Sequence, residues 1–170
     1  VGGNIANGSP IGDSPPALIA LGATLELQSA DSDRALALED FFIDYGKQDR
    51  LPGEFVTGLF VPRPSANQVF HCYKISKRFD QDISSVMAAF RFTIVDGRII
   101  DARIAYGGMA GTPKRAAGAE AALKGAILED ASTWAASIEA LNSDFTPLTD
   151  MRASAEYRME TARALLAKAL

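Results

Sequence analysis

VMAAFRFTIVDGRIIDARIAY, residues 86–106, is the clearest structural signal in the chain. Its two flanks are rich in apolar and β-branched residues, which predicts strands over Val86–Val95 and Arg98–Tyr106. Asp96-Gly97 between them is a dipeptide typical of a two-residue hairpin turn. The stretch therefore predicts an antiparallel strand pair in the second half of the chain.

The segments on either side of this hairpin extend the prediction to a whole domain. Upstream, Gln68–Ser76 predicts a third strand. Downstream, apolar residues three or four apart predict helices over Pro113–Leu123, Ala131–Leu141 and Ser154–Leu170, with Thr112 as the cap of the first. Strands followed by helices are typical of the α+β class, here an antiparallel sheet covered by a helical layer.

The first half of the chain holds more turn-forming residues. Residues 1–13 are mostly Gly, Asn, Ser and Pro, a composition that favours turns and positive φ angles. Ser14 before two prolines predicts the cap of a helix that ends near Leu21. Strands are predicted over Ala23–Leu27 and Glu54–Val61.

A domain boundary is predicted between the two halves. Arg34–Phe42 mixes strand and short-helix signals, and Tyr45–Gly53 is polar and predicts a loop. The stretch Pro62–Asn67 contains two prolines and is the best linker candidate. We therefore expect one domain over 1–66 and a second over 67–170.

Composition excludes several classes of function. The chain has one cysteine, Cys72, and one histidine, His71, which leaves no internal disulfide, no four-cysteine iron–sulfur cluster and little material for a metal site. A net charge of −4 argues against nucleic acid as a partner, and no apolar run approaches the roughly 20 residues of a membrane span. Redox chemistry, if present, would belong to an organic cofactor. The chain opens abruptly at Val1, with no predicted helix or strand leading into VGGNIANG, so we expect it to be a piece of a longer polypeptide; no secretory signal is present.

Several motifs leave two interpretations open. Gly2-Gly3 is either a tight turn or a loop that brings the backbone close to a ligand. Asp13 either favours the following helix dipole or accepts hydrogen bonds from a cofactor. Lys74, in the middle of a predicted strand, either faces solvent or carries a cation toward a flavin. Tyr157-Arg158 on the last helix predicts packing plus a surface cation.

Three separated motifs, taken together, resemble one family. The stretch GGNIANGSPIGDSPPALIALGATLEL resembles the second FAD-binding subdomain of the molybdenum hydroxylase flavoproteins. YKISKRFDQDISSV and RIAYGGMAGTPKRA resemble the domain that follows it, named from the carbon monoxide dehydrogenase flavoprotein, and YRMETARALLAKAL resembles that domain's last helix. The motifs occur in the family's order and cover essentially the whole chain.

The resemblance implies a set of FAD contacts and no catalytic side chain in this chain. They fall in the glycine-rich loop, in the strand after Glu54 and in the YK element: Gly2, Gly3, Asn4, Asn7, Asp13, Val56 and Lys74. Two positions depart from the family. Tyr45 is followed by Gly46, where the family often has Arg, and Gln81 interrupts the family's run of consecutive acids, which is here Asp80-Gln81-Asp82. These departures leave the side-chain roles in those two loops open.

The sequences of the first motif and of RIAYGGMAGTPKRA most resemble those of bacterial xanthine dehydrogenase small subunits. That resemblance implies a cytoplasmic enzyme that passes electrons from molybdopterin and [2Fe-2S] clusters, both outside this chain, through FAD to NAD. It implies as partners an upstream FAD subdomain and iron–sulfur domain of the same polypeptide and a molybdenum-binding large subunit. The alternatives are the flavin subunit of another molybdenum hydroxylase, of carbon monoxide dehydrogenase or aldehyde oxidase type, and a non-catalytic assembly module.

Overall fold

The computed structural model describes residues 2–170. In the first half, short helices and strands alternate as follows: α1 Gly2–Ala6, α2 Ser14–Leu21, β1 Thr24–Gln28, β2 Asp33–Ala37, a 3-10 helix Leu38–Phe41, β3 Phe42–Asp44, β4 Lys47–Gln48 and β5 Phe55–Phe60. In the second half, strands come first and helices follow: β6 Gln68–Ile75, β7 Val86–Val95, β8 Arg98–Gly107, β9 Lys114–Arg115, α3 Ala117–Leu123, α4 Ala131–Asp144 and α5 Ala155–Ala169. The predicted α+β class is confirmed.

The first sheet is antiparallel, with β1 between β2 and β5. Leu25 and Leu27 alternate with exposed Glu26 and Gln28, so one face of β1 is buried and the other is open to solvent. The buried face packs with Ile5 of α1 and with the 3-10 helix. Through Ile5, this small core holds the glycine-rich first residues of the chain in place.

The second sheet is antiparallel in the order β6-β7-β8-β9. Its central hairpin turns at Asp96 and Gly97, which have φ angles of 48° and 72°. Positive φ at both turn residues defines a type I′ turn, whose twist matches that of the flanking strands. The hairpin predicted from Asp96-Gly97 is therefore confirmed.

Both faces of the second sheet are covered. Phe90, Ile104 and Tyr106 point to one side and pack against α3, α4 and α5. Ala89 and Ala105 point to the other side and join the core of the first half, against which α2 lies. Burial on both faces explains why β7 is a nearly continuous apolar run.

The start of the chain differs from the turn expected there. Gly2–Ala6 forms one short helix, which Gly8 ends at a φ of 62°. Ile5 is completely buried, so packing holds this segment in spite of its two glycines. Ser14 is the first helical residue rather than the cap, and its hydroxyl donates to Asn4 Oδ1 instead.

Two further elements differ from expectation. Thr112-Pro113 does not start a helix, because Lys114-Arg115 first adds β9 to the edge of β8. The helix begins only at Ala117, after Ala116 donates its backbone N–H to the Ile104 carbonyl. The polar stretch from Tyr45 is partly a hairpin of β3 and β4.

Along residues 2–170, no helix combines the length and apolar character that crossing a bilayer requires.

Candidate functional site

An ion pair joins two of the candidate site residues. Lys74 Nζ, on edge strand β6, lies 2.8 Å from Asp13 Oδ2, at the start of α2. The other carboxylate oxygen of Asp13 accepts a hydrogen bond from Ser84 Oγ, in the loop before β7. The side chains of Lys74 and Asp13 remain 41% and 42% exposed. The pair is therefore fixed from one side and open to solvent on the other.

The loop that ends at Asp13 lies directly against the end of β8. Gly108 donates its backbone N–H to the Pro10 carbonyl at 2.8 Å. A β-carbon on Gly107 would lie 3.3 Å from the same carbonyl oxygen and 3.2 Å from Pro16 Cγ. Glycines at the end of β8 thus allow a close backbone approach that brings Asp13 within reach of Lys74.

Asn4 connects the first helix to the same place. Its Oδ1 atom accepts from Ser14 Oγ, and Ser14 is the neighbour of Asp13 in the chain. Asn4 and Asp13 therefore lie on one continuous stretch of surface, with Lys74 beside them.

Gly2 and Val56 lie together at a second part of the surface. They line a cavity of about 320 Å³ with Thr57, Gly58 and Leu59 of β5. Gly2 and Gly3 are exposed, and a β-carbon on either would meet no atom within 4 Å. The backbone of the first turn of α1 is thus open to a ligand, as a glycine-lined contact surface requires.

Asn7 faces a different neighbour. Its backbone carbonyl accepts from Gln48 Nε2 at 3.3 Å, on the β3–β4 hairpin. A β-carbon on Gly8 would lie 2.3 Å from the same amide nitrogen, so the loop is held closely against this hairpin. The Asn7 backbone N–H donates to the Gly3 carbonyl at 3.1 Å, whereas no hydrogen bond within residues 2–170 links Asn7 to Asp13 or Lys74.

Glu54 is a buried acid two residues before Val56. Arg34 holds it through Nε to Oε1 at 2.7 Å and through NH2 to Oε2 at 2.8 Å, and the Leu51 N–H donates to Oε2. The hydrogen bond from Arg34, followed by that from Leu51, lowers the pKa of Glu54 from 4.5 to about 2. This clamp fixes the start of β5 and so the position of Val56. Nothing in the sequence around Glu54 singled out Arg34 as its partner.

Sequence reasoning missed Ser84 and assigned Arg158 wrongly. Arg158 is not a surface cation, because only 2% of it is exposed. Its guanidinium donates to the carbonyls of Ser85 and Gly108 and to Asp150 Oδ1. Arg158 occupies a position of the predicted helix at which the 3–4 spacing of apolar residues places a buried side chain. This position was the signal from which its burial could have been predicted.

A further cavity borders the glycine-rich loop. It has a volume of about 300 Å³, and its wall includes Ser9–Ile11, Tyr45, Leu148, Arg152 and Arg158. Arg158 is neutralised by Asp150, whereas Arg152 has no acidic partner in the described part of the chain. The cavity therefore combines an aromatic ring, an apolar side chain and one available cation.

The arrangement fits a flavin nucleotide. Open glycine backbone at α1 permits a close approach, and the Asp13–Lys74 pair offers spare acceptor and donor capacity on its exposed side. Within residues 2–170, no three His, Cys, Asp or Glu side chains form a group that could hold a metal ion.

Comparison with known protein families gives two matches. Residues 71–170 match the family described as CO dehydrogenase flavoprotein C-terminal domain. Residues 1–64 match the FAD binding domain in molybdopterin dehydrogenase. The two matches together span nearly the whole chain.

Individual relatives carry several different names. A nicotinate hydroxylase of Emericella nidulans is 35% identical over 162 residues, 92% of this chain and 12% of the relative. A xanthine dehydrogenase of Blastobotrys adeninivorans is 39% identical over 130 residues, 74% of this chain and 9% of the relative. A solved Cu,Mo-CO dehydrogenase superposes with a TM-score of 0.90 at 28% identity, over 99% of this chain and 58% of that one. The chain thus spans from about a tenth to about six tenths of the proteins that it matches.

Proposed function

The chain belongs to the flavoprotein family of the molybdenum hydroxylases, and on this premise we propose that it forms one wall of the FAD site in a xanthine dehydrogenase-type enzyme. The contact between Asp13 and Lys74 carries the proposal. The two residues come from opposite sides of the proposed boundary between residues 66 and 67, and the family resemblance implies a flavin contact for each of them.

Each candidate residue has a defined task in this proposal. Gly2 and Gly3 let the nucleotide approach the backbone of α1, and Val56 contributes its backbone beside Gly2. Asn4 presents its amide at the other part of the surface, beside Asp13 and Lys74, where it contacts Ser14. Asn7 holds the far end of the loop against the β3–β4 hairpin.

Asp13 and Lys74 act as a unit. FAD, when bound, accepts electrons and delivers them to an acceptor as hydride. The ammonium of Lys74 stabilises negative charge that develops next to it, and Asp13 keeps this ammonium in place at 2.8 Å. Asp13 in turn is held by Ser84, so its carboxylate presents a fixed acceptor edge to the cofactor.

The rest of the electron path lies outside this chain. Cys72 is the single cysteine, whereas a cysteine-ligated iron–sulfur cluster needs four thiolates. We place the [2Fe-2S] clusters, together with the other FAD subdomain, upstream in the same polypeptide, and molybdopterin in a large subunit. The cytoplasm is the proposed location, since the acceptor is NAD.

We assign the acceptor to the 300 Å³ cavity beside Ser9–Ile11. A molecule in that cavity would rest on the same loop that ends at Asp13, so it would lie close to the flavin. Tyr45 supplies an aromatic surface, and Arg152 supplies a positive charge suited to a phosphate of NAD.

The second candidate is the flavin subunit of a different molybdenum hydroxylase. The superposition on a CO dehydrogenase and the identity to a nicotinate hydroxylase favour it. This candidate retains the FAD site and differs in the substrate and in the final acceptor.

The assembled enzyme, purified with all of its subunits, tests the proposal. Flavin absorbance together with xanthine-dependent NAD reduction supports the first candidate. Flavin absorbance without activity on xanthine, but with activity on nicotinate, an aldehyde or carbon monoxide, supports the second. A colourless enzyme without FAD excludes both and leaves a non-catalytic assembly module.

A further inference from the structure

Arg158 is a charged residue in the interior of the second half. It lies on α5, is 2% exposed, and packs next to the end of β8. NH1 donates to the Ser85 carbonyl and, at 2.9 Å, to the Gly108 carbonyl, while NH2 donates to Asp150 Oδ1 at 2.7 Å. Burying a guanidinium is costly unless its donors are used; these three contacts engage NH1 and NH2, while the buried Nε has no hydrogen-bond partner within residues 2–170.

The two carbonyls that Arg158 binds belong to the two segments that hold the glycine-rich loop. Ser85 follows Ser84, whose hydroxyl donates to Asp13 Oδ1. Gly108 donates its own N–H to the Pro10 carbonyl at 2.8 Å. Arg158 therefore lies directly behind these two contacts, the Ser84–Asp13 and Gly108–Pro10 hydrogen bonds.

These two segments also touch each other at Arg158. Gly108 has a φ of +81°, and a β-carbon there would lie 2.4 Å from the Ser85 carbonyl oxygen and 2.9 Å from Arg158 NH1. A planar guanidinium can bind both carbonyls and the carboxylate at once, whereas an ammonium on a flexible stem cannot hold the same geometry.

We propose that Arg158 is a positioning residue for the flavin: through Ser84 it fixes Asp13, and through Asp13 it fixes Lys74. The inference rests on the proposed FAD site and extends it to the last helix, 73 residues from Ser85 in the chain. Loss of the clamp would let Ser84 move away from Asp13, so that the Asp13–Lys74 pair would no longer be held in one orientation.

Three variants of the assembled enzyme test this role. Arg158→Lys keeps the positive charge but loses the planar guanidinium, whose NH1 and NH2 make the three contacts. Ser84→Ala removes only the hydroxyl that donates to Asp13. Tyr106→Phe is the matched control, because the Tyr106 hydroxyl binds the Ala162 carbonyl at 2.8 Å and so anchors α5 without contacting the loop. The measurements are the dissociation constant of FAD, the flavin reduction potential and the thermal midpoint.

Arg158→Lys and Ser84→Ala are each expected to weaken FAD binding about tenfold and to shift the flavin potential. Because both act through the Ser84–Asp13 contact, the double variant is expected to bind FAD no more weakly than either single variant. Tyr106→Phe should lower the thermal midpoint but leave FAD affinity and potential unchanged. Equal effects of Tyr106→Phe and Arg158→Lys on FAD would overturn the inference.

Asp13→Ala separates this inference from the proposed function. If Asp13→Ala retains FAD fully, the proposed site itself is wrong. If Asp13→Ala loses FAD while Ser84→Ala retains it with an unchanged potential, the site stands and the role of Arg158 is refuted. Should Arg158→Lys fail to fold, Ser84→Ala alone decides the outcome.

Discussion

Lys74 Nζ lies 2.8 Å from Asp13 Oδ2, although 61 residues separate the two in the chain. Asp13 is the last residue of the glycine-rich loop, and Lys74 lies in β6, the first strand of the second half. A contact between the two halves of the chain thus coincides with the proposed flavin site, and either residue can be changed without touching the cores.

Replacing Lys74 with alanine should lower the FAD content or make the flavin potential more negative. The variant removes a cation next to a group that gains electrons, while molybdenum chemistry in another subunit should stay intact. Flavin absorbance, redox titration and substrate-dependent reduction of a dye provide the readouts. Lys124→Ala, at an exposed lysine after α3, is the control. Unchanged FAD content and unchanged NAD reduction in Lys74→Ala would remove this residue from the site.

Asp13→Ala should weaken FAD retention by about tenfold or more, because it removes an acceptor and releases both Lys74 and Ser84. Extensive dialysis followed by measurement of the remaining flavin tests this expectation. Asp31→Ala changes an exposed acid in the turn between β1 and β2 and should retain the flavin. Full retention by Asp13→Ala would argue against the assignment.

The Arg34–Glu54 clamp predicts a pH dependence of stability. Its hydrogen bonds lower the pKa of Glu54 in the folded protein from 4.5 to about 2. A lowered folded-state pKa means that the contribution is complete above pH 4.5 and is lost as the pH falls toward 2. Glu54→Gln should therefore lower the urea midpoint at pH 7 and reduce its change between pH 4.5 and pH 2. A variant with the same pH profile as the parent protein would show that the clamp does not contribute.

Gly108→Ala and Gly97→Ala separate backbone strain from steric overlap. Gly97 has a φ of 72° and open space around it, so alanine there should cost about 1 kcal/mol from the left-handed conformation alone. At Gly108 the added carbon also meets the Ser85 carbonyl, which should raise the cost to about 3 kcal/mol. Denaturation midpoints of the two variants test the order. Equal losses would contradict the close approach at Gly108.

Local chemistry was sufficient to predict the central hairpin. Asp96-Gly97 specifies its turn through positive φ angles, and flanking β-branched residues specify its strands. The last helix was predicted to begin at Ser154; the structure makes this residue its cap, since the Ser154 hydroxyl accepts from the Tyr157 N–H.

Elements that depend on distant partners were not predictable. Lys114-Arg115 has a helix-start signal before it, yet pairing with β8 makes it a strand. Gly2–Ala6 has weak intrinsic helix propensity, and burial of Ile5 in the first core decides its conformation. The burial of Arg158 was not predicted because two of its acceptors, the Ser85 and Gly108 carbonyls, lie 73 and 50 residues away in the sequence.

The packing of α2 on the back of β7 and β8 has a consequence for protein engineering. Ala89 and Ala105 of the second sheet share a core with Ile19 and Ala20 of α2. A chimera of two relatives that is joined at Pro62–Asn67 would place mismatched halves of this core together. Recombination should succeed more often when residues 14–21 are exchanged together with residues 86–107, so that the unit of exchange is the packed interface rather than either sequence domain.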